Sequence, residues 1–107
     1  MKQAILVRRD LQLPKGKACS QVGHACVECV LKSEKEVVKK WRNEGMAKIV
    51  LKIENLKELN KYNQLAKDLG LVTAVITDGG HTVVEPGTIT CLGIGPDEDG
   101  RIDQVIK

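Results

Sequence analysis

Residues 76 to 88 read Ile-Thr-Asp-Gly-Gly-His-Thr-Val-Val-Glu-Pro-Gly-Thr, so a carboxylate, an imidazole and hydroxyls gather where an apolar run ends. Asp78 directly follows that run, and a group fixed at the carboxyl end of a strand is held rigidly where α/β sheets receive ligands. Gly79 and Gly80 permit a sharp, open exit, while His81, Thr82, Thr88 and Thr90 supply further polar groups and Pro86-Gly87 sets another turn. The same Asp-Gly-Gly composition also makes an ordinary turn. If chemistry occurs here, it is that of water activated by a carboxylate or imidazole. The chain has neither the Gly-x-x-x-x-Gly-Lys-Ser/Thr phosphate loop nor a Gly-x-Ser-x-Gly elbow.

A second group of candidates lies near the N-terminus. At 100° per residue, Lys17, Gln21, His24 and Glu28 fall within roughly 60° of one another on a helix, nearly opposite Val22 and Cys26. This stripe is either a solvated face or the other half of a site. Lys15 and Lys17 stand near the expected helix start, where cations oppose the macrodipole, so something other than helix stability favours them. Gly16 between them lets a ligand approach the backbone at a place already suited to anions.

Cys26 and Cys29 have the spacing of a redox or zinc pair. They lie several turns inside the expected helix, away from the N-terminal position that lowers a thiol pKa, and Cys91 alone cannot complete a zinc set. Cys19, Cys26 and Cys29 read instead as small core residues on or beside the packing stripe. No metal site is expected.

These groups need elements to hold them. Residues 4–9 read as a first strand, and 15–32 as a helix with apolar or small residues at 18, 22, 25, 26 and 29. Ser33 with Glu36 forms a capping box, so a second helix is expected to start there and stop at Gly45. Residues 47–53 alternate as a half-exposed strand, with Ala47, Ile49, Leu51 and Ile53 on one face. Asn55 with Glu58 caps a third helix that ends at Gly70. Residues 71–77, apolar almost throughout, read as a strand covered on both sides. A fourth strand is expected at 89–95, then a turn and a short C-terminal tail. This order describes one α/β sandwich in which crossover helices make some strands parallel.

The 107 residues suit a single domain spanning 1–107. No apolar run approaches a membrane span and no signal peptide is visible, so a cytoplasmic address is expected. The net charge of +3 is mild, and attraction to nucleic acid would have to come from clusters such as Lys15 with Lys17, or Lys32, Lys35, Lys39, Lys40 and Arg42. The latter run is also what a solvated helix face looks like. Trp41 and Tyr62 are too few for base-stacking platforms, so any RNA binding would rest on phosphates.

Two segments, KGKACSQVGHA (15–25) and TDGGHTVVEPGTITCLGIGP (77–96), together resemble the type II peptidyl-tRNA hydrolase family found in archaea and eukaryotes. The likeness runs from the first strand to residue 107. It implies a three-layer α/β sandwich, a mixed four-stranded sheet with helices on both faces, usually dimeric and without a metal or nucleotide cofactor. It implies hydrolysis of the ester between a peptide and the 3′ end of tRNA, with tRNA carrying a peptide as the partner. Lys17, Gln21 and His24 match the first motif, and Asp78, Thr82, Pro86, Gly87, Thr88 and Thr90 the second.

On that basis Asp78 or His24 is expected to activate water, with Lys17 and Thr82 or Thr88 stabilising the developing charge. Lys15, Gln21, His81, Thr90, Lys35, Lys39 and Arg42 are expected to bind substrate. His81 stands where the family usually has arginine or lysine, removing a permanent charge. A catalytically silent RNA-binding or protein-interaction module on the same fold is the alternative, and a thiol-redox protein a distant third.

Overall fold

The structure, a computed structural model, describes residues 1–79 and 85–106. In chain order the elements are β1 (Lys2–Arg8), α1 (Lys15–Lys32), α2 (Lys35–Asn43), β2 (Lys48–Ile53), α3 (Leu56–Asp68), β3 (Thr73–Thr77), β4 (Ile89–Asp97) and α4 (Asp99–Ile106). The sheet order is β2-β1-β4-β3. β1 and β2 are parallel, in register from Gln3 opposite Lys48 to Arg8 opposite Ile53, and β4 runs antiparallel to both β1 and β3. The sheet is therefore mixed, as expected.

Alternation along the two central strands builds a core on each face. Ala4, Leu6, Leu92 and Ile94 pack with Leu59 and Ala66 of α3 and with Ile102 and Val105 of α4. Ile5, Val7, Ala74, Ile76 and Cys91 face Ala25 and Cys29 of α1. α1 sits so close to β4 that a Cβ on Gly93 would meet Cys29 Sγ at 2.7 Å and the Ala25 carbonyl at 3.0 Å. α2 is anchored by the buried Trp41, whose ring N–H donates to the Ala47 carbonyl at 2.8 Å. Among the described residues no helix is long and apolar enough to cross a membrane.

Three local expectations are corrected. Ser33 does not open α2: its hydroxyl donates to the Cys29 carbonyl at 2.7 Å, closing the last turn of α1, and α2 starts at Lys35 without a side-chain cap. A serine hydroxyl bonds the carbonyl four residues back as readily as an amide ahead, and here the former wins. Asn55 does cap α3, accepting from the Glu58 N–H at 3.0 Å. β3 is not covered on both sides: it is an edge strand with Ala74 and Ile76 buried and Val75 exposed. The doubly covered strands are β1 and β4. Finally, the expected C-terminal tail is α4, which buries Ile102 and Val105.

Candidate active site

α1 and β3 bring the two motif segments together. Pro14 precedes α1 and, having no N–H to donate, suits the turn leading into a helix. One turn on, Lys17 reaches Asp78, with Nζ 3.0 Å from Oδ2. The Asp78 side chain is fully buried and that of Lys17 is 18% exposed. A buried carboxylate requires a partner, and here the partner's side chain keeps some contact with solvent.

The backbone around Asp78 is fixed by β4. Asp78 N–H donates to the Thr88 carbonyl at 2.8 Å, and Gly87 N–H donates to the Asp78 carbonyl at 3.0 Å, so the ladder continues past the end of β3. Gly87 has φ of 82°, a conformation that glycine adopts without strain. Thr88 thus lies opposite Asp78. Its hydroxyl donates to the Glu85 carbonyl at 2.7 Å, leaving the oxygen's lone pairs to accept.

Gln21 and Thr90, expected to touch substrate, are 1% and 0% exposed. Gln21 Nε2 donates to Thr90 Oγ1 at 2.7 Å, and Thr90 in turn donates to the Ile76 carbonyl at 3.3 Å. The pair ties α1 to β3 and β4 directly beneath Lys17 and Asp78. The helical stripe therefore divides: Gln21 turns to the core with Ala25 and Cys29, while His24 and Glu28 remain exposed. The arc of roughly 60° straddles the boundary between buried and solvated faces.

His24 makes no hydrogen bond or ion pair among the described residues. It lines an open cleft of about 330 Å³ with Glu28 and Lys32 on one side and residues 74–77 of β3 on the other. Lys15 is exposed at the start of α1. Lys35, Lys39 and Arg42 lie at the far end of α1, an 18-residue helix about 27 Å long. They share one face of α2 and line a groove of about 590 Å³ with Val30, Leu31 and Val38. None of the three makes an ion pair among the described residues. His81 and Thr82 lie outside the described residues.

Arg8 went unnoticed in the sequence. It ends β1, donates Nη1 to the Ile89 carbonyl at 2.9 Å, and pairs with Asp10 through Nε at 3.0 Å and Nη2 at 2.7 Å. The guanidinium holds the Asp10 carboxyl below its usual range. The available signal was the doublet Arg8-Arg9 at a strand end.

All four cysteines are free. Burial pushes the Cys29 thiol up to about 12 and the Cys91 thiol up to about 11, so neither offers a thiolate near neutral pH. Cys19, expected to be a small core residue on or beside the packing stripe, is exposed. At about 120° from Ala25 and about 80° from Cys29 on the helix, it turns away from the sheet.

The family pattern described as Peptidyl-tRNA hydrolase PTH2 matches residues 1–107. A Peptidyl-tRNA hydrolase of Sulfolobus acidocaldarius is 50% identical over 114 residues, covering 98% of this chain and 94% of that protein. The Peptidyl-tRNA hydrolase of Thermoplasma acidophilum is 44% identical over 107 residues, with 97% and 92% covered. That of Nanoarchaeum equitans is 44% identical over 108 residues, with 98% and 94% covered. The likeness spans the Lys17 and Asp78 segments alike, and the chain belongs to the peptidyl-tRNA hydrolase PTH2 family.

Proposed function

We propose that this protein hydrolyses the ester joining a peptide or N-blocked amino acid to the 3′ end of tRNA, releasing the tRNA for reuse in translation. The observation that carries the reading is the 3.0 Å contact between Lys17 and Asp78, which joins the two segments of family likeness in one partly exposed, charged site. Lys17 uses one N–H on Asp78 and has others for the ester oxygen, where negative charge develops on attack. As the ammonium turns to that oxygen, Asp78 takes the proton of the attacking water and later yields it to the departing ribose oxygen. Thr88, across the strand pair, accepts a hydrogen bond from the water or the ribose. Gln21 and Thr90 position the pair rather than touch the substrate.

Lys15 and the Lys35, Lys39 and Arg42 face hold the tRNA backbone, a sequence-independent contact that weakens with salt. The protein works in the cytoplasm as a homodimer. Exposed Val27 and Leu31, 56% and 72% accessible, supply apolar surface for self-association.

The test is cleavage of an N-acetylated aminoacyl-tRNA with chelator present, comparing wild type with Asp78→Asn. Loss of kcat by about 10²–10⁴-fold with tRNA affinity retained is expected for a group acting in the transition state. Binding of tRNA without turnover by the wild type would overturn the reading in favour of a silent binding module.

A further inference from the structure

The cleft beside β3 is bounded by the outer edge of that strand, the edge turned away from β4. The Val72 carbonyl accepts from Gly95 N–H, the Ile76 carbonyl from Thr90 Oγ1, and Asp78 exchanges hydrogen bonds with Gly87 and Thr88. Even-numbered residues of this segment therefore address β4. By the alternation of a strand, Thr73, Val75 and Thr77 address the opposite edge. One side chain of α1 agrees with that direction, Lys32 Nζ donating to the Thr73 carbonyl at 3.1 Å, while the buried Gln21 Nε2, which bonds Thr90 of β4, also lies 3.5 Å from the Thr77 carbonyl. Between these two covered carbonyls lies Val75, and among the described residues no strand pairs with this edge.

The geometry points to this edge as the site for the peptide portion of the substrate, which adds as one short strand by main-chain hydrogen bonds to Val75. The inference rests on the hydrolase reading above. Three features choose the occupant. The edge leads straight into Asp78, so anything lying along it arrives at the Lys17–Asp78 pair. A peptide esterified through its carboxyl end must point that end at the site, so it runs parallel to β3, as β2 already does to β1. Peptides of any sequence share only their backbone, and an open strand edge recognises backbone alone.

Val75 precedes Asp78 by three residues, about 10 Å of extended chain. A substrate with one amino acid therefore ends before Val75, whereas one with four reaches past it. In a parallel pair Val75 gives its N–H to one peptide carbonyl and accepts one peptide N–H two residues further along. Two such bonds raise kcat/KM by about tenfold. His24 and Glu28 face the added strand across the cleft.

The experiment compares N-acetyl-aminoacyl-tRNA with tetrapeptidyl-tRNAs ending in the same amino acid, each singly N-methylated at one peptide bond. The expected result is a roughly tenfold higher kcat/KM for the unmethylated tetrapeptide, lost on methylation at one position and kept at its neighbours. Val75→Pro, which removes the outward N–H at an edge position that tolerates proline, brings the ratio between the two substrates towards one. Equal kcat/KM for both in the wild type, or a gain indifferent to methylation, overturns the edge inference alone. Failure of the wild type to cleave either substrate overturns the hydrolase reading, and this inference with it.

Discussion

At the scale of single residues, the contrast between Lys17 and Gln21 shows what a helical wheel conveys. Both belong to one arc, yet Lys17 keeps solvent contact while Gln21 is sealed and bonded to Thr90. Residue type and spacing select the helix face but leave its depth to the sheet, and here Thr90 on β4 supplies a partner that makes burial of an amide affordable. Asp78 was legible because it ends an apolar run. The Thr88 position opposite it depends on a turn whose closure adjacent residues do not encode. The cysteines carry their own prediction. At pH 8 a maleimide should label Cys19 first and spare Cys29 and Cys91 until the protein unfolds, since their raised thiol pKa values and burial both oppose reaction. Mass spectrometry of the native and denatured protein checks this.

At the scale of elements, the seam between α1 and β4 fixes where Lys17 stands. A Cβ on Gly93 would meet Cys29 Sγ at 2.7 Å, so something must shift, and would press on the Ala25 carbonyl at 3.0 Å. Gly93→Ala is expected to cost about 1–3 kcal/mol of stability in chemical denaturation, the usual range for overpacking, with part restored by Cys29→Ala in the same chain. α2 supports a second prediction. Lys35, Lys39 and Arg42 recur at helical spacing on the face that lines the groove. Replacing all three by glutamine should lower the slope of log affinity against log salt for tRNA by about two to three units, as expected if each meets one phosphate. Filter binding at several salt concentrations measures it. Where element boundaries were misread, short side chains decided: Ser33 could serve either helix, and the carbonyl of Cys29 was the partner it took.

At the scale of the whole molecule, the order of elements was legible because strand and helix periods alternate clearly along the chain. The order of strands in space was not. A stretch as apolar as 71–77 suggests a central strand, yet part of its apolar character belongs to Leu71, which packs in the core before the strand begins. α4 carried a readable signal in Ile102, Val105 and Ile106 at helical spacing, hidden by its eight-residue length and by the turn-like residues before it. Those side chains close the core over β1 and β4, so Ile102→Ala is expected to destabilise by about 2–5 kcal/mol in thermal or urea unfolding.

The sheet order has a consequence for the protein's own synthesis. β4 lies between β1 and β3 but comes after both in sequence. As the polypeptide leaves the ribosome, β1 and β2 can pair early, while β3 has no neighbour in the sheet until residues 89–97 emerge. The Asp78 backbone bonds Thr88 and Gly87, so the Lys17–Asp78 contact gains its support from β4 only when that strand arrives. The Lys17–Asp78 contact is thus completed late in synthesis, by a strand that emerges after both of the residues it sets in place.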